Sequence, residues 1–155
     1  MAGRIEARLK ELKIELPDAP APAANYIPYV VTGNLVFVSG QVPRFKGQYV
    51  HVGKVGETLT LEDVQKSARL CALNLIAQLK AACGGDLDRV KRVVKLGGFV
   101  NSTPTFAQHP QVINGASDLM GEIFGDAGKH ARFAVGVADL PGNVATEIDG
   151  IFEIA

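Results

Sequence analysis

One apolar stripe, closed at both ends, constrains this chain more than any other feature. Val64, Ala68, Cys71, Leu75, Leu79 and Ala82 recur at the 3.6-residue spacing of an α-helix. Thr60-Leu-Glu-Asp63 precedes the stripe in the form of a capping box, with Asp in place of the usual Glu or Gln. Gly84-Gly85 follows it, as a left-handed helix end requires. A stripe of this kind looks like core packing against a sheet, and the flanking sequence holds runs of strand length. Leu35–Ser39 is one, preceded by the turn pair Gly33-Asn34 and by Tyr29–Thr32 as its hairpin partner. Tyr49–Val52, in a Gly-punctuated stretch, reads as a third short strand. Arg89–Val100 is a longer one, where Gly97-Gly98 suggests a bulge or a close backbone approach. Pro110 opens a second amphipathic helix through Phe124, ended by Gly125. Ala131–Val137 and Val144–Ile154 are strands around Leu140-Pro-Gly-Asn143, a strong turn signal, and read as a local hairpin.

The order ββ(β)αβαββ predicts an α+β fold: a mixed sheet of about six strands with two main helices on one face. Ahead of it, Arg4–Leu12 is a short helix candidate and Pro17–Ala24 a Pro/Ala connector that cannot join a central strand. The 155 residues read as a single domain over 1–155, residues 1–20 being a helical extension and linker.

Composition narrows function by exclusion. The chain is 47% hydrophobic, which rules out a disordered polymer. Lys plus Arg and Asp plus Glu are 16 each, so the basic excess of a nucleic-acid binder is missing. Arg89, Lys91, Arg92 and Lys95 read as a solvated strand face. Residues 1–16 carry charges throughout, unlike a secretory leader, and no apolar run nears bilayer-spanning length. The expected compartment is the cytoplasm, with no membrane partner. Cys71 and Cys83 have no metal or redox spacing; Cys71 reads as a buried apolar residue and Cys83 as partly exposed. His51, His109 and His130 lie at no ligand spacing and read as surface histidines. No phosphate loop, dinucleotide fingerprint or zinc motif occurs, so neither metal nor cofactor is expected.

What remains is a pair of charges in apolar strands, Arg132 and Glu147. Charged groups so placed point to water or are held by a partner or ligand. In a hairpin turning at Pro141-Gly142, Glu147 pairs with Gly136, and Arg132 lies about 13 Å along the strand. That gap is long for a direct ion pair and leaves room for a small acid and a water.

Ser39-Gly-Gln41, Ala131-Arg-Phe133, Ala138-Asp-Leu-Pro141 and Glu147-Ile-Asp149 resemble the RidA (YjgF-like) imine deaminase family. The resemblance runs from about Tyr26 to Ile154, leaving the N-terminal extension outside it. It implies a chorismate-mutase-like homotrimer with clefts between subunits, and hydrolysis of enamines and imines such as 2-aminoacrylate to a 2-keto acid and ammonia, without cofactor. By the same resemblance, Arg132 grips the substrate carboxylate, Glu147 orients or activates the water, and Tyr29, Ser39 and Gly40 line the cleft. The family often has Cys where this chain has Ala134; its backbone still serves as a substrate contact. Asn101-Ser-Thr-Pro-Thr105 and the longer segment to Pro110 also depart from the family pattern and reshape the cleft wall. Two other readings stand beside the enzyme: a non-catalytic binder of small carboxylates, and an endoribonuclease, which the neutral charge disfavours.

Overall fold

A computed structural model describes residues 3–19 and 25–155. The end of the Pro/Ala connector, residues 20–24, lies outside the described part. The elements are α1 (Arg4–Glu11), β1 (Tyr29–Thr32), β2 (Leu35–Gln41), β3 (Arg44–Phe45), β4 (Gln48–Tyr49), α2 (Leu61–Ala82), β5 (Val90–Asn101), α3 (His109–Phe124), β6 (Ala131–Val137) and β7 (Thr146–Ile154). Five strands form one sheet in the order β1-β2-β7-β5-β6, while β3 and β4 form a separate two-stranded ribbon.

The α2 capping box is complete: the Thr60 hydroxyl accepts from the Asp63 amide at 3.2 Å, and the Thr60 amide donates to Asp63 Oδ2 at 3.0 Å. These bonds satisfy amides that the first helical turn leaves without partners. Gly84 and Gly85 end the helix at φ of 65° and 93°. The α2 stripe and the apolar face of α3, from Val112 to Phe124, are buried together against one face of the sheet. Along β7, Thr146, Ile148, Gly150, Phe152 and Ile154 point into this layer, while Glu147, Asp149, Ile151 and Glu153 point the other way. Each large aliphatic side chain buried here contributes about 1.5–3 kcal/mol relative to exposure.

α1 is part of the same layer. Ile5 and Leu9 belong to the core, and its first amides are capped from a distance. The Asp88 carboxylate, before β5, accepts from Ile5 N at 2.8 Å and Arg4 N at 2.9 Å. The Glu6–Lys80 ion pair at 2.8 Å adds a second tie.

Three expectations need correction. Tyr49–Val52 adds no strand to the main sheet: Tyr49 ends the small ribbon, and Val52 makes one bridge to Val144. Cys83 is buried, not partly exposed. Most consequentially, β6 and β7 form no hairpin. β5 lies between them, parallel to β6 and antiparallel to β7. The Leu140–Asn143 turn exists as a short 3-10 segment, but it carries the chain over the end of β5. The strand–helix–strand unit β5-α3-β6 explains the pairing, because a helical crossover delivers its second strand parallel to the first. Gly97 and Gly98 mark close approach rather than a bulge. A Cβ on Gly98 would meet Ile113 Cδ1 at 2.7 Å, and the register shifts of β5 fall earlier, between Val90 and Lys95.

Candidate functional site

The two charged residues lie on opposite faces of the sheet. Glu147 sits in register with Phe99, and Arg132 with Leu96. That separates them by two strand spacings and three residues, about 10 Å in each direction. The Arg132 side chain turns toward α3, and Glu147 points from the uncovered face. The hairpin geometry expected for them fails for this reason.

Around Glu147 the sheet is irregular. Val38 pairs with Gly150 and Gln41 with Ile148, so Ser39 and Gly40 together oppose Asp149. This is a bulge, a device that re-aims side chains. It brings Gly40 beneath the Glu147 carboxylate: a Cβ on Gly40 would stand 2.6 Å from Glu147 Oε2. Burial raises the Glu147 carboxyl above its ordinary pKa, with a smaller push from Asp149. Ser39 donates its hydroxyl proton to the Pro28 carbonyl at 3.0 Å, because a carbonyl only accepts. The Tyr26 hydroxyl, 2.6 Å from Ser39 Oγ, is therefore the donor of that pair. Tyr26, Ser39, Gly40 and Glu147 thus gather on one side of β2 and β7.

Tyr29 is placed differently. It pairs with Val38, whose side chain is buried, so it shares the helix-covered face and packs on the core. Tyr26 was missed by sequence reasoning, although counting back from the Gly33-Asn34 turn puts Tyr29 opposite Val38.

Arg132 and Ala134 form the second group, on edge strand β6. Ala134 packs against the core beside α3. Arg132 Nη1 donates to Asn114 Oδ1 at 2.8 Å and to Ser117 Oγ at 3.0 Å. Ser117 Oγ lies 2.9 Å from His130 Nε2, and His130 Nδ1 lies 2.6 Å from the Gly128 carbonyl. These side chains line an open recess of about 350 Å³ with Lys129 and Gly121. Asn114, Ser117 and His130 were also missed; the one available signal was their placement on either side of the Gly125 helix stop. Among the described residues no group of three or more His, Cys, Asp or Glu could hold a metal ion, and no helix is long and apolar enough to cross a membrane.

A single helix layer behind a mixed sheet, with polar groups on the opposite face and at one edge, is the architecture of the chorismate-mutase-like class. The chain belongs to the YjgF/RidA family: residues 6–148 match the family described as YjgF/chorismate mutase-like, putative endoribonuclease. The crystal structure of the protein Atu1372 from Agrobacterium tumefaciens, of unknown function, is 50% identical with a TM-score of 0.91, covering 97% of this chain and 92% of that one. The 2-iminobutanoate/2-iminopropanoate deaminase of Dermatophagoides farinae is 29% identical over 91% of this chain and 94% of its own length. The crystal structure of E. coli TdcF with bound serine superposes with a TM-score of 0.64 at 26% identity, covering 91% and 97% of the two chains.

Proposed function

We propose that this protein hydrolyses small enamines and imines derived from 2-amino acids to 2-keto acid and ammonia, at sites completed between subunits of a homotrimer. The observation that carries this reading is the division of the functional groups. One chain holds Arg132 at a sheet edge, turned toward α3, and Glu147 on the opposite face of the same sheet. In the proposed trimer the two would meet where the β6 edge of one copy abuts the Tyr26–Ser39–Gly40–Glu147 face of another. Val30, Phe37 and Val135, exposed on the uncovered face or its edge, are the apolar surface such contact would cover. The named activity of the Dermatophagoides relative supports the reaction, and the serine held by TdcF supports a ligand of amino-acid size.

In the proposed reaction, the Arg132 fork binds the substrate carboxylate through paired hydrogen bonds. Glu147 takes a proton from a water that adds to the imine carbon and passes it to the nitrogen, giving a neutral carbinolamine. It then takes the carbinolamine's hydroxyl proton and delivers it to nitrogen as the C–N bond breaks, leaving the keto acid's C=O and ammonia. Each turnover consumes one imine and one water and releases one keto acid and one ammonia. A carboxyl raised toward neutrality suits this two-way transfer better than an ordinary one, because a general base works best near the operating pH. No cofactor takes part.

The test is a coupled assay for ammonia and keto acid with freshly generated 2-aminoacrylate. Both products should form in equal amount, above the spontaneous rate. Glu147→Gln should lower turnover by about 10²–10⁴-fold while an unreactive keto acid still binds. No acceleration alongside micromolar keto-acid binding would instead make this a carboxylate-binding protein.

A further inference from the structure

We infer that Asn114 and Ser117, with His130 behind Ser117, are positioning residues that present the Arg132 guanidinium for side-on capture of a carboxylate. The inference rests on the proposed function for the identity of the ligand, and on the geometry of α3 and β6 for the rest. An arginine on an edge strand has many accessible rotamers, and each group that fixes it reduces the entropy lost when a ligand binds. Here both fixed contacts are made by one nitrogen. Nη1 spends its two protons on Asn114 Oδ1 and Ser117 Oγ. Among the described residues, Nε and Nη2 donate to no protein acceptor, and together they form the side-on fork that matches the two oxygens of a carboxylate.

The direction of each bond follows from the far end of the chain of contacts. The Gly128 carbonyl accepts, so His130 Nδ1 carries the proton. In the neutral ring Nε2 is then an acceptor, and the Ser117 hydroxyl donates to it. Ser117 therefore turns a lone pair, not its proton, toward Arg132. Gly128 can stand this close because it is glycine: its missing Cβ would run into the Met120 carbonyl of α3. The short 3-10 turn of 125–128 thus sets the imidazole, the imidazole orients the serine, and the serine with Asn114 orients the arginine.

The experiment measures three quantities on the full-length protein: Kd for 2-oxobutanoate by calorimetry, kcat and KM with freshly generated 2-aminoacrylate, and melting temperature. The double variant Asn114→Ala/Ser117→Ala should raise Kd and KM about tenfold, the equivalent of losing roughly one charge-assisted hydrogen bond. Its kcat and melting temperature should hold, since alanine is favoured in the helix. In an Arg132→Lys background the same pair of substitutions should cause no further loss, because lysine presents no fork. His130→Phe should weaken binding, and His130→Gln, which keeps an acceptor for Ser117, should restore most of it. Unchanged Kd in the double variant while Arg132→Lys measurably weakens binding would overturn the inference and leave the proposed function intact. Weakened keto-acid binding in a protein that accelerates no deamination would overturn the reaction and support the presentation of Arg132. Absence of keto-acid binding in the unmutated protein would overturn both.

Discussion

Gly40 is small because of a neighbour rather than a turn. The bulge at Ser39-Gly40 places its α-carbon under the Glu147 carboxylate. Gly40→Ala adds one methyl, and the flexible end of Glu147 must give way. We expect kcat to fall by about 10²-fold, the scale at which small misplacement of a reacting group acts. Melting temperature and keto-acid affinity should stay near those of the parent, and calorimetry beside a turnover assay checks all three. The thiols offer no alternative chemistry. Cys71, enclosed beneath β7 and in contact with Thr146, is pushed by burial up to about 12. Burial also raises Cys83. Neither supplies the thiolate that nucleophilic catalysis needs.

α1 is held largely from outside itself. Its Ncap, Gly3, has no side chain to offer, and Asp88 supplies the missing acceptor from 85 positions along the chain. Hydrogen bonds from Ile5 N and then Arg4 N keep the Asp88 carboxyl below its ordinary pKa. A lowered folded-state value stabilises above the unfolded pKa, and that stabilisation is lost as pH falls through the folded value. Hydrogen exchange should therefore show the first turn of α1 loosening, before the sheet does, only once pH has fallen below the ordinary carboxylate range. Asp88→Ala should produce the same loosening at neutral pH. Elements of this kind also show what the chain makes legible. α2 and α3 were readable because their periodicity and end signals lie within a few residues of one another. The β1–β2 hairpin was readable because its two-residue turn fixes the register. The placement of β6 was not, since the real turn at Leu140–Asn143 reveals a change of direction but not which strand is the neighbour. Strand–helix–strand order over 90–137 carried that information and pointed to a parallel pair. The site followed suit: Arg132, Glu147, Ser39 and Gly40 stand out as residues, but the network around Arg132 forms only after α3 folds back on β6, and Tyr26 emerges from register.

At the scale of the whole molecule, the separation of Arg132 from Glu147 makes assembly part of the proposed chemistry. We expect light scattering to give three times the chain mass. Arg132→Ala and Glu147→Gln proteins, each inactive alone, should regain activity when unfolded together and refolded as a mixture. Some interfaces in mixed trimers then join an intact arginine to an intact glutamate. No recovery in verified mixed trimers would overturn the intersubunit site. The strand order has another outcome, for the time course of synthesis. β7 follows the other four strands of the sheet in the chain, yet it is the strand that joins β2 to β5. Until it leaves the ribosome, the growing chain holds a two-stranded hairpin and a separate parallel pair, with α2 and α3 lacking the strand that completes their floor. The join between the two halves therefore waits on β7, and the sheet closes from its middle rather than growing from an edge.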